Sequence, residues 1–211
     1  MRTKLAAAIL AATVGTLAAT SAQAVIYNFS CITNNSATDC GIGTAQLSMD
    51  VTSFNNGVRF DIMNAGPLQS TIEQVFFDDG VLQGTTKLVL DPPGVEFTLD
   101  GNPGNLPGGN SIVPQFVTSF SFSADPPPTG NGVNPGEEVS FWFYKSGLTL
   151  NNVLADLNDG DLRVGLHVIN YASRGSESFV NTPAIPEPGS LGLLAAGLLG
   201  LFGVAGRQKL G

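Results

Sequence analysis

Two runs of strict alternation joined by three turn-forming residues constrain this chain more than any other feature. Leu47, Met49 and Val51 alternate with Ser48, Asp50 and Thr52. After Asn55-Asn56-Gly57, Val58, Phe60 and Ile62 alternate with Arg59, Asp61 and Met63. Side chains on a strand point to opposite faces in turn, so each run has an apolar face and a largely polar one. Asn and Gly tolerate the positive φ that a tight hairpin turn needs. The pattern predicts a hairpin with one buried face, which needs more strands to cover it.

Those strands are present. Runs at 25–32, 72–77, 87–90, 95–99, 116–122, 139–144 and 162–171 are separated by breakers such as Asp79-Gly80, Pro92-Pro93-Gly94 and Asp100-Gly101. Gly, Pro, Asn, Ser and Thr are abundant and Lys and Arg together number nine, a composition that favours turns and strands over helices. Roughly eight to ten short strands predict an all-β fold, an antiparallel β-sandwich of the jelly-roll or Ig-like kind. One helical signal interrupts it: Asn151 or Asn152 as N-cap before Val153, Leu154 and Leu157. Segments 100–111 and 125–136, rich in Gly, Pro and Asn, read as mobile loops at the sandwich ends. No internal repeat is visible, which argues against a filamentous or β-helical architecture.

The two ends carry signals of another kind. Arg2 and Lys4 precede an apolar stretch from Leu5 to Leu17, and Ala22-Gln23-Ala24 forms a small-residue cleavage site before Val25. Residues 1–24 therefore read as an export signal, helical in its apolar part, with cleavage between Ala24 and Val25. At the other end Pro186-Glu187-Pro188 precedes an unbroken small and apolar run, which Arg207 and Lys209 close. As a helix, Leu191 to Gly206 spans only ~24 Å, short of the roughly 30 Å hydrocarbon core, so it would be a weak transmembrane anchor. The two cations suit a cytoplasmic end. The prolines favour an extended backbone that a processing enzyme can reach.

The wording Pro186-Glu187-Pro188-Gly189-Ser190-Leu191-Gly192-Leu193-Leu194, with the apolar run and basic stop, resembles the PEP-CTERM sorting signal of Gram-negative bacteria. Ile185 stands where Val is usual, and Gln208 separates the cations. The resemblance implies processing by an exosortase, a membrane transpeptidase-like protease of organisms that make exopolysaccharide. It implies an inner-membrane-tethered precursor and a cell-surface or extracellular product. The run Arg163-Val164-Gly165-Leu166-His167-Val168, followed by Gly175-Ser176-Glu177-Ser178-Phe179-Val180-Asn181, is similar to the closing segment of many such proteins. It implies a shared β domain ending in a structural strand, without naming a ligand.

The chain thus divides into a signal peptide at 1–24, a β domain at 25–182 and a sorting signal at 183–211. The domain has five cations, Arg59, Lys87, Lys145, Arg163 and Arg174, against 16 of the 17 acids, a net charge of −11. Nucleic acid and anionic lipid headgroups are poor partners for such a surface. The cysteines, Cys31 and Cys40, are close in an exported segment and predict a disulfide. The alternative of a metal or redox pair lacks C-x-x-C spacing and a nearby histidine.

No catalytic constellation stands out. His167, the sole histidine, lies with Arg163 and Gly165 on the face opposite Leu162, Val164, Leu166 and Val168, and reads as a sheet-face residue with a satisfied hydrogen bond. Gly175-Ser176-Glu177-Ser178-Phe179 lacks the second glycine of a nucleophile elbow. No cofactor is expected. The acidic run leaves calcium open at Asp156, Asn158, Asp159 and Asp161, with an ordinary Asp-Gly turn as the plainer reading. Trp142 and Tyr144 share one face of a strand whose other face carries Phe141 and Phe143. An exposed Trp/Tyr pair could stack on sugar rings, whereas a strand covered on both faces gives the same pattern without a ligand. The expectation is an exported, non-enzymatic protein, a structural or interaction component of an exopolysaccharide matrix. The alternative is a carbohydrate-binding module using Trp142 and Tyr144, and a secreted hydrolase is a third reading.

Overall fold

Asn55 and Asn56 adopt φ of 41° and 61° and turn β2 (Leu47–Phe54) into β3 (Gly57–Asn64), with Phe54 opposite Gly57 and Leu47 opposite Asn64. Both central residues of a tight primed turn need positive φ, which Asn accepts at low cost. Met49, Val51, Phe60 and Ile62 then point inward and are buried, as the alternation requires. The computed structural model describes residues 25–100 and 104–183. Ala24, Pro186, Glu187, Pro188 and both expected terminal helices lie outside them.

Eight further strands complete the described fold: β1 (Val25–Cys31), β4 (Thr71–Asp79), β5 (Thr86–Leu90), β6 (Phe97–Leu99), β7 (Phe120–Ala124), β8 (Glu137–Tyr144), β9 (Leu162–Ile169) and β10 (Glu177–Asn181). Every pairing is antiparallel, in the order β5-β8-β3-β2-β1-β10-β9-β4-β7-β6. The all-β antiparallel class is as expected. Instead of two separate sheets, one continuous sheet of ten strands bends into a nearly barrel-like shape. The join is β1, which pairs with β2 through Val25 to Asn28 and with β10 through Phe29 to Cys31. The edge strands β5 and β6 approach one another without being hydrogen-bonded partners.

Bending brings the inner faces of two half-sheets together over aromatic rings. Phe60 of β3 meets Phe77 of β4 edge-on at 5.7 Å, and Phe122 of β7 meets Phe141 of β8 at 4.3 Å. Phe143 joins them from β8, 5.1 Å from Phe77. Such pairs add about 0.5–1.5 kcal/mol each beyond the area they bury.

Several local expectations are corrected. Helix α1 (Ala37–Gln46) was not expected, because Gly41, Gly43 and Thr44 are weak helix formers. Ser36 caps it, accepting from the Asp39 N–H, and a Cβ at Gly43 would lie 2.1 Å from the Phe179 ring, so glycine is required for that contact. After a short helix α2 (Pro128–Asn131) in the second expected loop, α3 (Leu150–Asp159) begins at Thr149 rather than at Asn151 or Asn152. The Thr149 hydroxyl accepts from the Asn152 N–H. Val153 and Leu157 of α3 pack into the main core. Strand β7 starts at Phe120 instead of 116.

The segment leading to it is no free loop. Leu106 and Phe116 are buried with Phe76 of β4 and Val180 of β10 in a second apolar cluster, on the outer face of the β10-β9-β4 half. A Cβ at Gly165 would lie 2.6 Å from Leu106 Cδ2, so the missing side chain is what lets the segment lie flat on the sheet. Arg163 fastens it, donating to Asp78 Oδ2 and to the carbonyls of Pro114 and Gln115, with its guanidinium 5.2 Å from the Phe116 ring centre.

Candidate functional site

On the outer face of the other half-sheet, β2, β3, β8 and β5 lie side by side. Cross-strand register puts Leu88, Trp142, Arg59 and Thr52 in one row and Leu90, Ser140, Asp61 and Asp50 in the next. Trp142 and Tyr144, two residues apart on β8, stack with ring centres 6.0 Å apart and planes inclined by 28°. Tyr144 is 41% exposed, Leu88 beside it 45%, and Trp142 is half-buried. The pair thus lies on an outer face, with its partner face of Phe141 and Phe143 fully inside.

The hairpin fixes the indole. Trp142 Nε1 donates to the Phe54 carbonyl at 2.9 Å, and Phe54 packs edge-on against the ring. A Cβ at Gly57 would lie 2.6 Å from Nε1 and 2.2 Å from the Phe143 carbonyl oxygen. Glycine at the first residue of β3 is therefore what lets the indole approach the turn. A side chain held by packing and a hydrogen bond loses little entropy when a ligand stacks on it.

The neighbouring row is acidic. Asp61 accepts from Arg59 Nε at 2.9 Å and from the Ser140 hydroxyl, and the guanidinium of Arg59 also lies 5.2 Å from the Phe54 ring centre. Asp50, directly opposite Asp61, has a buried Oδ1 with no hydrogen-bond partner. Burial first, and then the Asp61 charge, push the Asp50 carboxyl above the usual aspartate range, against the Val51 N–H and Arg59, which lower it. Further along the same face a cleft of about 550 Å³ opens among Ser48, Met63, Pro92, Pro93, Val95 and Glu138.

The remaining expected residues fall elsewhere. Cys31 and Cys40 form the expected disulfide, with Cα atoms 5.4 Å apart. Glu177 holds its loop, accepting from the Thr33 hydroxyl and the Asn35 and Ser36 N–H groups. The cysteines and Glu177 also form the acid and sulfur cluster close enough to hold a metal among the described residues, but both sulfurs are bonded to each other. The acidic run is spread over the end of α3: Asp156 accepts from the Val81 N–H, Asn158 from the Tyr27 hydroxyl and Asp159 from the Asp161 N–H. These oxygens serve three different donors and do not converge.

His167 sits on the outer face of β9, with Nδ1 3.3 Å from Ser178 Oγ and Nε2 3.8 Å from Glu73. Burial lowers its pKa, partly opposed by Glu73. The sequence did not pair these three residues. Ser178 is fully buried in β10, so its hydroxyl is closed to a substrate.

Asp50, Arg59, Asp61, Ser140 and Phe54 were not singled out in the sequence. The hairpin turn did contain one clue: a two-residue turn at Asn55-Asn56 places Asp50 opposite Asp61, an unfavourable like-charge pair. The neighbours of Trp142 depend on the pairing of β8 with β3, across nearly 80 residues of chain, which no local pattern reveals.

Residues 184–209 match the family model of the PEP-CTERM protein-sorting motif. The chain carries that motif, the mark of an exosortase-sorted extracellular protein. No curated protein and no solved structure matches this chain.

Proposed function

We propose that this chain is an exported protein whose exosortase-processed form serves, without catalysis, as an interaction component of an extracellular polysaccharide matrix, and that it holds the polysaccharide on the Trp142–Tyr144 face. The sorting motif supports the route. The observation that carries the binding role is the stacked, solvent-facing pair, its indole tied to the Phe54 carbonyl. Sugar rings present apolar C–H faces and hydroxyl rims, which suit an aromatic platform beside hydrogen-bonding groups such as Thr52, Ser140 and Asp50. The non-catalytic reading is supported by the burial of Ser178 beside His167. The reading invokes no calcium; the oxygens of the 156–161 run accept from separate donors.

Affinity electrophoresis of the processed protein through gels containing cellulose-type, chitin-type and host exopolysaccharide tests the proposal. Retardation by at least one of them, lost in Trp142→Ala and Tyr144→Ala while the folded spectrum is kept, is the expected result. Equal mobility of wild type and both variants in every gel would overturn it.

A further inference from the structure

We propose that residues 184 and 185 continue β10 along the open edge of β1, so that the folded domain holds its own tail up to Pro186 and presents the sorting motif at the end of the sheet, beside Val25. The inference is independent of the polysaccharide role and concerns how the motif meets its enzyme.

Strand β1 is paired on alternate sides along its length. Toward β2 it pairs from Val25 to Asn28, and toward β10 from Phe29 to Cys31. Among the described residues no strand lies on the β10 side of Val25 to Tyr27, and the Ile26 side chain is 56% exposed. The ladder nevertheless runs past the last residue of β10. The Thr182 N–H donates to the Asn28 carbonyl at 2.9 Å and its hydroxyl to the same oxygen at 3.2 Å, while at the other end the Ile32 N–H donates to the Ser178 carbonyl. Bonded pairs recur at every second residue of an antiparallel ladder, so the next in this register is Ile26 with Ala184. At the same point the chain leaves β9: Val180 with Gly165 is the final pair, and the Val164 N–H goes to the side-chain Oδ1 of Asn181. The chain therefore departs along β1.

The prolines fit this register and set its end. Proline has no N–H, so a strand tolerates it only where the ladder needs no donor. Pro183 falls opposite Tyr27, between bonded pairs, and costs no bond. Pro186 falls at a bonded position, opposite that of Ala24, and stops the ladder. Thr182 and Ile185 each precede a proline, which biases both to extended backbone, and Ile185 is a good strand former. The strand thus ends with Ile185 opposite Val25, and the motif begins at the next residue. From Ile185 to Leu191, where the apolar run starts, the chain reaches at most about 20 Å. The exosortase would read the motif in that short gap, with its leading side held by the sheet. A motif approached by a fixed strand loses less freedom on entering an enzyme than one on a free tail.

The exported precursor, kept unprocessed in a host without the exosortase and studied in detergent micelles, provides the test. Amide exchange followed by NMR should find the N–H groups of Ile26 and Ala184 protected at least about tenfold over that of Ile185, which points away from β1. Ala184→Pro, which removes the donor, should return Ile26 to the unprotected rate. Paired cysteines read the register: Ile26→Cys with Ala184→Cys sets Cα atoms about 5.5 Å apart, within the span of a disulfide. This pair should oxidise on export much faster than Ile26→Cys with Gly189→Cys. Equal exchange at Ile26, Ala184 and Ile185, or equal oxidation of the two pairs, would overturn the inference. Covalent dimers would overturn it too, by giving the edge to a second copy. Supplied with exosortase, the bonded Ile26→Cys, Ala184→Cys variant should still be processed at the wild-type rate, because the motif lies beyond the strand. Loss of processing would mean that the strand must open first, and would overturn its presenting role.

Discussion

The two outer faces of this bent sheet are treated in opposite ways. Over β10, β9 and β4 the chain covers itself: residues 104–119 lie on the strands, Gly165 has no side chain to obstruct them, and Arg163 ties them down. Over β2, β3, β8 and β5, aromatic rings are left facing solvent beside a carboxylate oxygen that nothing satisfies. A polar and apolar mixture that the fold could have covered, and elsewhere does cover, is the kind of surface on which binding residues are found. Under the proposed function, the covered face serves stability and the bare one contact.

Truncation at the covered face should have the largest effect. Phe116→Ala removes a buried ring and leaves a cavity under the covering segment, costing about 3 kcal/mol in denaturant unfolding with no change in polysaccharide retention. A loss under about 1 kcal/mol would mean that the segment is not part of the folded core. Trp142→Ala should cost less, about 1 to 2 kcal/mol, because part of that ring already meets water, yet it should abolish retention. Reversal of these two patterns would break the division between the faces.

Asp50→Asn has the smallest effect and the opposite sign. Burial raises the folded pKa of Asp50 above its unfolded value, so the fold prefers the protonated acid and is penalised once the pH exceeds the usual aspartate range. The variant should be more stable than wild type at neutral pH. The gain should shrink as the pH falls through the raised pKa, where the wild-type carboxyl takes up its proton. Thermal unfolding across that range measures it, and a variant less stable than wild type at neutral pH would mean that Asp50 is already satisfied within the fold.

What the sequence revealed divides along local lines. Alternation and Asn55-Asn56-Gly57 were enough for the first hairpin and its buried face, because a tight turn keeps the pairing local; the register, with Asn55-Asn56 alone as the turn, came from the structure. The disulfide was readable from two cysteines in an exported segment. Helix α1 was hidden by its glycines, although Ser36 and Asp39 have the spacing of an N-terminal cap. The continuous sheet was not readable, since it depends on β1 changing partners midway from β2 to β10. The candidate site was half legible: Trp142 and Tyr144 were evident as a pair, but whether they faced protein or solvent depended on what the rest of the chain covered. Segment 104–119 went to the other face, and its Gly/Pro-rich wording did not tell which.

Trp142 is the sole tryptophan in the chain, so intrinsic fluorescence reads the bare face directly. Titrating the processed protein with a retained polysaccharide should shift the emission to shorter wavelength, saturably, and shield it from iodide quenching, because a stacked sugar excludes water from the indole. Binding of the same polysaccharide with emission and quenching unchanged would place the contact elsewhere and contradict the account.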